Sequence, residues 1–164
     1  MDQIGPDAIG ASLREQVEDF LAEIAFALDD DRLEAWPDFF TEDAVYRIVP
    51  REGYEAGRPI GILHCEGRGM MRDRVLALRT ANIFEPHSYC HLLGRPRIAR
   101  ATDGALTARS NFVLYRTMQG GATEVFAAGK YLDRIVERDG VLRLAGRDVV
   151  VESRQVDILV VLPM

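Results

Sequence analysis

Long apolar or alternating runs dominate the C-terminal third of the chain. SNFVLYRTM (Ser110–Met118), TEVFAAGKYLDRIVE (Thr123–Glu137) and VLRLAGRDVVVES (Val141–Ser153) predict three strands, split by QGGA and by Arg138-Asp139-Gly140. Gly120-Gly121 and Asp139-Gly140 offer the positive φ that tight hairpin turns need. Such strands are about twice the usual length and imply a strongly curved sheet. A curved meander preceded by helices makes a half-open cone, able to hold a ligand or to present its outer face to a partner.

Upstream, Leu13, Val17, Leu21, Ile24 and Leu28 recur at helical spacing, with Phe20 widening the stripe. Ser12 with Glu15 forms a candidate capping box at the start of that helix. Asp29-Asp30-Asp31 closes it and opens a short second helix over Arg32–Phe40, limited by Pro37. DAVYRIVP (Asp43–Pro50) alternates Val45, Arg47 and Val49 against Tyr46 and Ile48, a strand. Arg51–Pro59 predicts a loop, Ile60–Cys65 a short strand, and Gly69–Asn82 a helix burying Met71, Val75 and Leu78. Tyr89–Ala99 predicts the next strand, with Pro96 confining part of it to an edge or bulge. Helices segregated to one side of a mostly antiparallel sheet define an α+β class. Residues 1–11 predict a flexible arm and 12–164 a single domain.

With 164 residues, 48% apolar and 28% charged, the chain has ordinary globular composition. A net charge of −6 argues against nucleic acid or an anionic membrane surface as partner. No apolar run approaches the roughly 18 residues of a membrane span. The first residues lack the pattern of a secretory signal, so a cytoplasmic location is expected. Two cysteines, Cys65 and Cys90, make no disulfide framework.

Candidate chemistry is sparse. His87 and His91 in EPHSYCH, beside Glu85 and Cys90, share a face on either a helix or a strand, which suits a metal. No further ligand stands at recognisable spacing, and hydrogen-bonded histidines at a strand end account for the pattern as well. His64-Cys65 would need both side chains on one face to act as base and nucleophile, and neighbours on a strand point apart. A carboxylate–histidine pair within the cone would serve acid–base catalysis. Asp43, His91 and Asp148 are its candidates, with Tyr46 or Tyr131 as donors. Against this, Asp43 suits a junction cap and Asp148 a pair with an arginine of the next strand. Trp36, Phe39 and Phe40 form an aromatic patch expected to close the mouth of the cone. In DILVVLPM, Ile158, Val160 and Leu162 face one way and Leu159 and Val161 the other, as in a docking strand or subunit contact.

Several of these segments together resemble the small (beta) subunits of aromatic-ring-hydroxylating dioxygenases, the Rieske non-haem iron oxygenases. The carriers are WPDFFTEDAVYRI, MMRDRVLALR, HLLGRPRI, SNFVLYR and FAAGKYLDRIVERDGVLRLAGRDVVVES. Within the family, ALRTANIFEPHSYCHLLG and VVLPM are most similar to the terephthalate dioxygenase small subunits. The resemblance implies a cone similar to nuclear transport factor 2 and a structural, non-catalytic role. It implies assembly as a trimer within a three-plus-three hexamer, on a large (alpha) subunit carrying a [2Fe–2S] Rieske cluster and mononuclear Fe(II). The Rieske ligand pattern C-x-H with C-x-x-H is absent from this sequence, so no cofactor or metal is expected on this chain. Tyr115, Arg116, Ile158, Val160 and Leu162 are then the expected subunit contacts. From the residues alone, a stand-alone isomerase, dehydratase or cyclase working in the cone stays open.

Overall fold

The computed structural model describes residues 10–57, 61–80, 85–152 and 163–164. Helix α1 (Ala11–Asp29) turns its Val17, Leu21, Ile24 and Leu28 stripe inward, as its spacing predicts. Its N-cap is Gly10, with no side-chain cap, so the Ser12–Glu15 capping box does not form: Ser12 lies inside the first turn, and its hydroxyl accepts from Gln16 instead. The chain then passes through Asp31, at φ 58°, into a 3₁₀ helix, Leu33–Phe39.

Strand β1 (Phe40–Pro50) pairs with β2 (Leu63–Glu66), and between them stands a short helix, α2 (Arg51–Glu55). The expected Arg51–Pro59 loop thus opens with a helical turn, held by an Arg51–Glu55 pair at 2.8 Å. Helix α3 (Gly67–Thr80) buries Met71, Val75 and Leu78. It is clamped to the 3₁₀ helix by Arg79, which donates to Glu34 and Asp31.

The stretch predicted as one strand over Tyr89–Ala99 is two, β3 (His87–Leu93) and β4 (Arg97–Arg100), interrupted around Pro96. Both pair with β5 (Leu106–Met118), which starts earlier than its pattern suggests. Strands β6 (Thr123–Arg138) and β7 (Val141–Val151) complete the meander. The β6–β7 turn is the two residues Asp139 (φ 54°) and Gly140 (φ 75°), between paired Arg138 and Val141. In the β5–β6 turn only Gly121 adopts positive φ; Gly120 does not.

The sheet runs β2-β1-β7-β6-β5-β3 and is antiparallel except at β1–β7, which is parallel. It does not close. Register shifts in β1–β7, β5–β6 and β6–β7 add the local twist that curves it. At Gly129 a Cβ would lie 2.1 Å from the Val150 carbonyl, so the bend there admits only glycine. The helices cover one face, the inner one. Trp36, Phe40 and Tyr46 meet there edge to face, with centroids 5.0–6.0 Å apart. The expected aromatic patch is therefore core: Trp36 and Phe40 are fully buried, and Phe39 packs against the core from the margin, edge to face with Phe20. The expected arm at 1–11 and the segment holding Ile158, Val160 and Leu162 fall, apart from Gly10 and Ala11, outside the described residues.

Candidate functional site

Two surfaces of the sheet are candidates: the interior of the cone and the outer face. Along β7, Arg147 points inward and Asp148 outward, because neighbouring strand residues alternate.

Inside, Arg147 donates to Asp133 of β6 through Nε at 2.7 Å and Nη2 at 2.9 Å. The guanidinium lies 4.1 Å above the Tyr131 ring, which stacks on Phe112 at 4.3 Å. Burial opposes the arginine's charge, yet Asp133 outweighs it and holds the Arg147 pKa above its ordinary value. The Tyr46 hydroxyl donates to the Met164 carbonyl at 2.9 Å and accepts from the Met164 N–H at 3.0 Å. Burial raises the pKa of both Tyr46 and Tyr131 above the usual tyrosine value, so both stay neutral.

His91 approaches Asp29, at the end of α1, at 2.5 Å through Nδ1, and its backbone N–H donates to the same carboxylate at 2.9 Å. A carboxylate-held imidazole is the arrangement that orients a general base. Its side chain is only 1% exposed, however, and Nε2 is buried with no hydrogen-bond partner among the described residues. In this conformation the pair pins α1 to β3 and offers no path to a substrate from solvent.

The four candidate acid–base residues do not converge. Asp43 is exposed at the β1 bulge and accepts from Thr41 at 3.0 Å. Asp148 lies on the outer face in a forked pair with Arg47, at 2.8 and 2.7 Å. Tyr46 is inside, and His91 is engaged by Asp29. The sequence reading missed Asp29 and Asp133. In the sequence Asp29 reads only as a helix end, and only the tertiary pairing with β3 and β7 reveals either role.

The remaining histidines are also engaged: His64 with Glu66 at 3.1 Å, and His87 with the Glu85 carbonyl at 2.8 Å. Cys65 is buried, which pushes its thiol pKa up and away from nucleophilic reactivity. Among the described residues no group of three or more metal-ligating side chains comes together, and no helix is long and apolar enough to cross a membrane. Tyr115 and Arg116 point to opposite faces. Tyr115 is outward, whereas Arg116 pairs with Glu124 and lies 4.5 Å over the Phe126 ring.

On the outer face a groove of about 800 Å³ is lined by Val45, Arg47, Arg97, Arg109, Leu132 and Arg134, among others. A smaller one of about 330 Å³ adjoins it at Arg95 and Asn111.

An open curved sheet with helices on one face, filled by its own side chains, defines the class: residues 11–148 match the SnoaL-like domain family. The chain is 42% identical over 137 residues to the anthranilate 1,2-dioxygenase small subunit of Burkholderia cepacia, covering 84% of this chain and 85% of that one. It is 41% identical over 149 residues to the terephthalate 1,2-dioxygenase terminal oxygenase component subunit beta 1 of a Comamonas species, covering 91% and 97%. A solved beta subunit assigned to an aromatic-ring-hydroxylating dioxygenase of Novosphingobium aromaticivorans superposes with a TM-score of 0.84 at 35% identity, over 92% of this chain and 96% of that one. The chain belongs to the small (beta) subunits of aromatic-ring-hydroxylating dioxygenases.

Proposed function

We propose that this chain is the non-catalytic, structural small subunit of a cytoplasmic oxygenase that dihydroxylates an aromatic carboxylate in a degradation pathway. The large subunit carries the Rieske [2Fe–2S] cluster, the mononuclear iron and the substrate pocket, and three copies of each chain form the assembly. The observation that carries this reading is the interior of the cone. Its charges are spent on each other, Arg147 on Asp133 and His91 on Asp29, and the space between is occupied by Trp36, Phe40, Phe112 and Tyr131.

The relatives support the rest. Two are named as small or beta subunits, one of them of a terminal oxygenase component, which calls for a larger partner. Both of their printed substrates are aromatic carboxylates. Tyr115, Ile158, Val160 and Leu162 remain proposed contacts. Arg116 is a proposed contact too, although its engagement with Glu124 and Phe126 means that reversing it would also disturb its own sheet.

Co-expression with a large-subunit gene tests the reading through native mass and iron content. A stable complex with all iron on the large chain is expected. A small chain that ignores the partner, or that turns over a small molecule by itself, would overturn it in favour of a stand-alone isomerase, dehydratase or cyclase.

A further inference from the structure

Folding leaves one part of the outer face uncompensated. Arg97 of β4 and Arg109 of β5 stand directly opposite each other in register, and both are exposed. Neither has a hydrogen bond or ion pair among the described residues. Like charges in directly opposed positions weaken a sheet. Their neighbours differ: Arg47 has Asp148, Arg134 has Asp103, and Arg95 reaches Glu18 at 3.5 Å. On a chain of net charge −6 this basic pair is a local feature, not a consequence of composition.

The same face continues into an apolar surface. Arg109, Asn111, Val113 and Tyr115 alternate along one side of β5. Leu92 pairs with Val113, and Val125 with Tyr115, and these two flanking side chains are 60% and 58% exposed. Arginines beside tyrosine and aliphatic side chains have the composition of a protein–protein interface core.

We infer that this face docks an acidic segment of the large oxygenase subunit. Its carboxylates take the forks of Arg97 and Arg109, and an apolar side chain covers Leu92, Val113 and Tyr115. The inference rests on the functional reading above. A second copy of this chain fits less well. A two-fold axis through the Arg97–Arg109 pair would set arginine against arginine. Among the exposed carboxylates of this chain, Glu15 and Asp19 lie on the outer side of α1, beyond the helix layer. Joining that side to the sheet face is a heterologous contact, which closes into a ring only at one particular rotation. A small anion would occupy the arginines and leave the apolar end uncovered.

The test is co-expression with the large subunit, capture through a tag on that subunit, and measurement of the isolated small subunit's urea midpoint and native mass. Arg109→Glu sets a carboxylate opposite Arg97, so the isolated subunit should unfold at higher urea than wild type. Its affinity for the large subunit should nevertheless fall at least about tenfold. Opposite signs in the two readouts separate docking from folding. Arg97→Gln/Arg109→Gln provides a neutral version that should also weaken capture. If wild type is captured and both variants are captured equally well, the inference is overturned. It is overturned equally if a variant changes the native mass of the small subunit alone, since the face would then be a self-contact. Failure to capture wild type would remove the functional reading, and this inference with it.

Discussion

Arg147 and Asp148 are consecutive residues, and each makes a forked arginine–carboxylate pair across to a neighbouring strand, yet the two pairs inhabit different solvents. Arg147 with Asp133 is sealed under the helices, with side chains 4% and 0% exposed. Asp148 with Arg47 is on the outer face, at 21% and 29%. Outside, water screens both partners and the pair contributes little. Inside, each charge has only the other, and the desolvation already incurred makes either one indispensable to its partner. One face has thus been closed by pairing its buried charges with each other. The other retains charge for use.

The sharpest way to break this comparison is Asp133→Ala, which strands a buried guanidinium. Urea unfolding should show a loss of about 3–5 kcal/mol. The double variant Asp133→Leu/Arg147→Met should recover most of that, because the cost lies in the orphaned charge and not in the missing attraction. A single-variant loss under about 1 kcal/mol would mean that the inner pair is solvated like the outer one.

Tyr46→Phe is expected to be intermediate. It deprives the Met164 N–H and carbonyl of their partner, at a cost of about 1–3 kcal/mol by the same measurement. It should also alter the alkaline limb of stability. Burial holds Tyr46 and Tyr131 protonated in the fold, while the unfolded chain ionises near the ordinary tyrosine value of 10. Their contribution is therefore complete below pH 10 and is lost as pH rises beyond it. The variant should show a shallower decline. The smallest effect belongs to Asp148→Ala, within about 1 kcal/mol and diminished further by salt.

What the sequence disclosed depended on range. The helical stripe of α1, the buried positions Met71, Val75 and Leu78, and the Asp139-Gly140 turn are local patterns, and all appear in the fold. Alternation along β1 correctly separated Tyr46 and Ile48 from Val45 and Arg47. The Ser12 cap failed because a good cap sequence can begin two residues too late, with Gly10 already supplying the extended backbone. Partner choice was least legible. His91 was a candidate, but nothing local connects it to Asp29, which is 62 residues away. Asp148 was correctly suspected of pairing with an arginine of a neighbouring strand, whereas Asp133, two residues beyond Tyr131, gave no sign of being its inner counterpart.

The parallel pairing of β1 with β7 has a consequence for how the chain is made. Arg47 and its partner Asp148 are 101 positions apart. At ribosomal speeds of about 5–20 residues per second, the first strand emerges roughly 5–20 s before the last. Throughout that interval one edge of β1 has no neighbour, and Tyr46 and Ile48 lack the β7 strand that flanks them in the fold. A nascent chain halted before Val141 would therefore be a set of helices and hairpins missing its central strand. The sheet is completed only once β7 has been made, so the nascent subunit is most vulnerable to aggregation in the seconds before that strand is released.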